Sequence, residues 1–171
     1  MSKAFTRESD FDEDDRLPPV SSPLPSGARN YVTNSGLRAL KEELDLLLQQ
    51  RPLLAAKPGD PDAKRQLQSL DARISYLQSS IATAVEVPVP PQPWEEIAFS
   101  ATVALRDKGG ALETYRIVGA DEADIDRNWI SFFSPLARAL MKARKGQTVR
   151  FRAPGGEQVF EVVDIRYDAP T

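Results

Sequence analysis

Two apolar ladders, separated by a segment that cannot be helical, constrain this chain more than any other feature. Leu37, Leu40, Leu44 and Leu47 recur at spacings of 3, 4 and 3; Leu67, Leu70, Ile74, Leu77, Ile81 and Ala84 recur at 3, 4, 3, 4 and 3. Heptad-like seams of this kind place one apolar stripe on each of two helices, with charged and amide side chains on the outer faces. Between them lie Lys57, Pro58, Gly59, Asp60, Pro61 and Asp62, whose two prolines and glycine continue neither helix. Residues 34–85 are therefore expected to form an antiparallel helical hairpin, a coiled-coil finger with its tip near Gly59 and legs of about 35 Å. So thin a finger encloses little interior, and it suits reaching or docking.

Local signals mark its ends. Thr33 or Asn34 is the expected N-cap of the first leg. Pro52 is expected to kink that leg or end its regular part, with Leu53 and Leu54 closing the last turn. The second leg is expected to start with Asp62 as N-cap and to end by Glu86. Val87 to Pro93 holds four prolines in seven residues. That composition predicts a stiff, polyproline-like spacer holding the finger at a distance from the residues beyond Pro93. The expected organisation is an arm at 1–30, the hairpin at 31–87, a linker at 88–93 and a second domain at 94–171.

From Trp94 the apolar period changes from about 3.5 to 2. Phe99, Ala101, Val103 and Leu105 alternate with polar or small residues, and the turn at 107–110 contains two glycines. Strands are expected at 112–118, 128–133, 148–152 and 158–166, with a hairpin turn at 154–156 and an acidic loop at 120–126. Ser134 followed by Pro135 reads as an N-cap and first helical position, and Leu136, Ala139, Leu140 and Ala143 supply one apolar face before Gly146. The fold class is α+β: a helical hairpin plus a small antiparallel sheet with one helix packed on a face.

Composition narrows the chemistry. The chain has no histidine and no cysteine, which removes the usual general base, the commonest metal ligand and any disulfide framework. The absence of cysteine fits a reducing, cytoplasmic location, and no apolar run reaches membrane-spanning length. Acids and bases balance in both halves: seven of each in 31–87, twelve and eleven in 95–171. A chain without a basic block is poorly suited to sequence-independent nucleic-acid binding, so nucleic acid enters only indirectly, through a partner. Six acids crowd into positions 8–15, followed by a proline- and serine-rich stretch. Residues 1–30 read as a disordered arm, either a solvated tail or an acidic contact for a basic surface. Arg150, Phe151 and Arg152 are read as a strand whose arginines pair across to Glu157, Glu161 and Asp164. Of Phe132 and Phe133, alternation turns at least one outward.

Five segments in order carry a resemblance: Tyr115 to Asp124 (YRIVGADEAD), Ile130-Ser131, Ser134 to Leu140 (SPLARAL), Gly146 and Pro154 to Gly156. They resemble the C-terminal domain of bacterial Gre transcription factors. Tyr31 to Thr33, Gly36, Leu40 to Leu44 (LKEEL) and Arg51-Pro52 resemble the start of the same family's helical hairpin. The resemblance covers about 31–167 and leans towards the GreB side at Ala139 to Lys142. It implies an FKBP-like C-terminal domain that grips the β′ rim of the RNA polymerase secondary channel, while the hairpin enters the channel. It implies no enzyme activity and no cofactor of the protein's own. Tip acids would instead help the polymerase hold catalytic Mg²⁺ and hydrolyse backtracked RNA, through carboxylate oxygens suited to a hard cation. The factor is expected to act as a monomer.

Carried onto this chain, the resemblance makes Asp60 and Asp62 the candidate tip acids, as catalytic and shared-Mg²⁺ residues. It makes Asp121, Glu122, Asp124, Ser134, Pro135 and Arg138 the candidate polymerase-docking residues. The tip departs from the family: Gly59-Asp60 runs straight into Pro61-Asp62, about two turns are missing from each leg, and the tip glutamate has no counterpart. Two readings of Asp60 and Asp62 therefore stand, a metal-completing pair and a plain turn with a helix cap. The alternative function is a non-cleaving, Rnk-like regulator that binds polymerase without reaching the metal. An FKBP-like shape also suggests prolyl isomerisation, but by fold alone.

Overall fold

The computed structural model describes residues 24–168, so most of the expected arm, including its acidic stretch at 8–15, lies outside the described residues. Helix α1 (Asn34–Ala55) and helix α2 (Pro61–Thr83) pack antiparallel as a hairpin. Thr33 is the N-cap of α1, its Oγ1 accepting from the Gly36 amide at 2.9 Å. Pro52 stays inside α1 rather than ending it; its ring is exposed, where loss of one amide donor does not strand a buried carbonyl. The N-cap of α2 is Asp60, not Asp62, because Pro61 occupies the first helical position and its fixed φ starts the helix there.

The seam is uneven along its length. Leu40, Ile74 and Leu77 are buried in the half nearer the base, and Leu70 and Ala63 in the half nearer the tip, whereas Leu44, Leu47, Leu54 and Leu67 are only half-buried. Two bidentate pairs cross between the legs: Arg73 donates to Glu43 at 2.7 and 2.8 Å, and Arg51 to Asp71 at 2.7 and 3.1 Å. Instead of continuing as helix to Glu86, the chain becomes extended after Thr83. Strand β2 (Ala84–Glu86) pairs in parallel with β1 (Asn30–Val32), Tyr31 opposite Val85. Asn30 Nδ2 donates to the Ser80 carbonyl at 3.0 Å, which ties this short sheet to the end of α2.

The C-terminal module is a five-stranded sheet in the order β5-β4-β3-β7-β6. Its strands are β3 (Thr102–Arg106), β4 (Leu112–Val118), β5 (Trp129–Ser131), β6 (Thr148–Ala153) and β7 (Gly156–Arg166). It is mixed rather than wholly antiparallel, since β5 runs parallel to β4 with Ile117 opposite Ile130. The acidic connection from β4 to β5 crosses over instead of turning back, which is what makes that pair parallel. Helix α3 (Pro135–Leu140) covers one side, and Leu136, Ala137 and Leu140 join Val103, Leu105 and Ile117 in the core. Glu161 pairs with Arg106, and Asp164 with Lys145 and Arg166. The register sets Glu157 opposite Arg152 as expected, whereas Glu161 and Asp164 neutralise bases other than Arg150 and Arg152, because register and not sequence distance decides cross-strand neighbours.

The proline-rich linker does not hold hairpin and sheet apart. Trp94 folds back so that Nε1 donates to the Pro90 carbonyl at 3.0 Å while its ring lies 5.3 Å from that of Tyr167. Tyr31, at the foot of the hairpin, sits 6.0 Å from Phe99 and 5.4 Å from Phe132 of the sheet module. Phe132 thus faces inward, and Phe133 stacks on it at 3.9 Å, half-buried. Apolar rings at both foot and module gain more from burial than a stiff spacer loses by bending.

Candidate functional site

Three places carry the candidate residues. At the tip, Asp60 Oδ1 accepts from the amides of Asp62 at 2.9 Å and Ala63 at 3.3 Å, closing the first turn of α2. Asp62 pairs with Arg65 one turn on, and both side chains are exposed. Each acid keeps an oxygen outside these bonds. The positive end of the α2 dipole lies beneath both, however, and that field favours anions over cations. Among the described residues no cluster of three acidic or other metal-ligating side chains forms. Two acids in this field do not make a resident metal site.

The docking candidates separate into different jobs. Ser134 caps α3, its Oγ accepting from the Ala137 amide at 3.2 Å. Asp124 caps the turn into β5, Oδ1 accepting from Asp126 N at 3.0 Å and Arg127 N at 3.3 Å. Pro135 and Arg138 are exposed on α3. Two further features of this surface are not among the residues that the sequence pattern picks out. Ile125 stands 94% exposed at the crest of the acidic loop, and Arg127 lies 3.6 Å over the Trp129 ring, with Arg116 at 4.8 Å from the same ring. An isoleucine between two aspartates, followed closely by arginine and tryptophan, is the signal that could have found them.

Asp121 and Glu122 stand apart from the other four, because their carboxylates face the hairpin. They lie on a 3₁₀ turn, Ala120–Glu122, directly after β4. Glu122 Oε2 accepts from the Thr33 amide at 2.9 Å and from the Gly119 amide at 3.1 Å, and Oε1 accepts from Thr33 Oγ1. Asp121 accepts from the Tyr76 and Ser80 hydroxyls of α2. Gly36 is required where it stands: a Cβ there would fall inside the Glu122 carboxyl group. A Cβ on Gly119 would likewise overlap the Tyr31 carbonyl oxygen. Beside this contact the Glu43 hydrogen bonds hold the Arg73 guanidinium above its ordinary pKa.

The architecture is a slim helical hairpin fastened at its foot to a compact sheet module. Comparison with known proteins identifies its family. A sequence profile described as "Transcription elongation factor, GreA/GreB, C-term" matches residues 91–167. Transcription elongation factor GreB of Neisseria meningitidis serogroup B is 37% identical over 154 residues, covering 81% of this chain and 94% of that protein. Transcription elongation factor GreA of Halorhodospira halophila is 36% identical, covering 80% and 97%. A solved GreA/GreB factor from Nitrosomonas europaea is 21% identical over 80% of this chain and 98% of its own, with a TM-score of 0.41. The chain belongs to the GreA/GreB family of transcription elongation factors, on the strength of the sequence matches. Members of that family act on a polymerase and are not enzymes themselves. No helix among the described residues is long and apolar enough to cross a membrane.

Proposed function

We propose that this protein binds bacterial RNA polymerase at the β′ rim of the secondary channel through its sheet module. The hairpin then enters the channel and presents Asp60 and Asp62 to the polymerase's Mg²⁺, so that the polymerase cleaves backtracked RNA. The observation that carries this reading is the tip: two exposed carboxylates at the end of a leg of 22 residues, about 33 Å long, with one oxygen of each outside the bonds that shape the turn. Magnesium, when bound by the polymerase, would activate the water and stabilise the charge on the phosphate. The work of this chain is to bring carboxylate oxygens to that place. Docking is assigned to Pro135 and Arg138 on α3, next to the Ser134 cap, and to the loop shaped by Asp124. The protein is a monomeric cytoplasmic accessory factor in this reading.

One observation favours a second reading. Arg65 neutralises Asp62, and the α2 dipole opposes a cation, so the hairpin could occupy the channel without completing the metal site. A transcript-cleavage assay on a backtracked elongation complex separates the two. Shortened RNA with wild type, lost in Asp60→Asn plus Asp62→Asn at unchanged polymerase affinity, supports cleavage; asparagine retains the cap, so the hairpin stays intact. Wild-type binding without shortening, together with competition against a cleavage-competent Gre factor, establishes the non-cleaving regulator.

A further inference from the structure

We infer that Asp121 and Glu122 are positioning residues: a two-carboxylate latch that sets the attitude of the hairpin on the sheet module. The inference rests on the reaching function proposed above and assigns these two acids a role other than polymerase contact.

The geometry separates them from the docking surface. Both acids sit on one short turn, which follows the Gly119 cap after β4 and is anchored by the buried Ala120. Glu122 takes the N-terminus of α1, through the Thr33 amide and hydroxyl. Asp121 takes α2, through Tyr76 and Ser80 one turn apart. One turn of the module thus holds both legs of the finger. Holding one leg would leave the finger free to roll about it; holding two removes that freedom. Hydrogen bonds to an ionised acceptor are shorter and about twice as strong as neutral ones, so the clamp is stiff for its size. The Thr33 hydroxyl has two roles, donating to Glu122 while accepting the Gly36 amide, which couples the helix cap to the latch.

The length of the hairpin makes that stiffness matter. Over a leg of about 33 Å, an angular play of 10° at the foot moves the tip by about 6 Å. Carboxylate donors are useful to magnesium only near 2.1 Å, and misplacement by about 1 Å can cost on the order of 100-fold in rate. The Tyr31, Phe99 and Phe132 cluster holds the foot in place, but rings in tilted contact slide more readily than charged hydrogen bonds bend. Orientation therefore falls to the two carboxylates.

Because the chain contains no cysteine, Gly59→Cys at the tip and Lys108→Cys on the module can carry spin labels without background. The width of the label-to-label distance distribution reads hinge play directly. Asp121→Ala plus Glu122→Ala is expected to broaden it at least twofold with helix content unchanged. Gly36→Ala, which leaves both acids in place and favours the helix, is expected to do the same by pushing Glu122 out. Asp121→Asn plus Glu122→Gln keeps one acceptor oxygen in place of two at each position and is expected to broaden it less than the alanine pair does. On polymerase, the alanine pair and Gly36→Ala should retain affinity within about threefold while their effect on elongation at saturating factor falls roughly 10- to 100-fold. Unchanged widths in both broadening variants overturn the inference. Loss of polymerase affinity in the Asn/Gln pair, at unchanged width, also overturns it and makes these acids contact residues. A wild type that does not bind polymerase, with widths behaving as expected, leaves the latch supported and overturns the proposed function instead.

Discussion

At the foot of the hairpin Leu77 is wholly buried, Asn30 reaches Ser80, and two carboxylates from the sheet module hold Thr33, Tyr76 and Ser80. Some 30 Å away, at the tip, Leu53 is 69% exposed and the turn is closed by Asp60. Both regions are helical and leucine-rich, yet one is a joint and the other a free end. The difference comes from neighbours. A two-helix seam has two walls, so towards the tip its leucines meet only each other. At the foot a third body covers them and its polar groups satisfy the chain ends.

The contrast can be broken most directly by truncating leucines at the two ends. Leu77→Ala is expected to cost about 2–5 kcal/mol, and Leu53→Ala to stay within about 0.5 kcal/mol, measured by denaturant unfolding of the full chain. Equal losses would show that the tip seam is as well packed as the foot. Next in size is the cap. Asp60→Ala should destabilise the start of α2 by about 1 kcal/mol, seen as faster amide exchange at Asp62 and Ala63 but not at Leu77. Asp60→Asn should leave exchange near wild type, which separates the cap from the tip charge.

Smaller still is the cross-leg pair midway along the finger. Arg73 and Glu43 are each 38% exposed, and a double-mutant cycle should give a coupling of about 0.2–1 kcal/mol that shrinks with salt. A coupling well above that range would move the boundary between joint and free end outward. The last effect, a pH slope absent at neutral pH, lies in the module that carries the foot. Burial, helped by the hydrogen bond to Glu113, raises the Tyr115 hydroxyl to about 12. The neutral form is favoured in the fold, so this contribution is present below the ordinary value near 10 and is lost as pH rises towards 12. Ultraviolet titration should show the late tyrosinate, and Tyr115→Phe should flatten the stability slope in that window.

Much of this architecture was legible in order along the chain. The 3-4 spacing of the ladders, Thr33 and Ser134 as caps, the proline after Ser134 and the glycines of the sheet turns each act within four or five residues, so sequence alone locates them. Helix or strand boundaries slipped where two local signals competed, as at Asp60 against Asp62, where Pro61 decided. The parallel pairing of β1 with β2 was not legible, because three-residue strands more than 50 residues apart carry no periodicity to read. The expected gap between finger and module was a local inference from prolines that a long-range aromatic contact overrode.

The candidate site divides along the same line. The residue types were readable: acids at the tip, acids before β5, a serine-proline helix start. Their partners were not, because a carboxylate facing solvent, a cap and a clamp have the same letters. What the sequence by itself determined is that this chain makes a hairpin and a small sheet module and that its side chains offer neither histidine nor cysteine chemistry, since periodicity and composition are read locally. Only the tertiary structure decided that Asp121 and Glu122 face the hairpin. Hydrogen-bond partners 41 to 89 residues apart are chosen by how folded elements meet, and no neighbour in the chain records that choice.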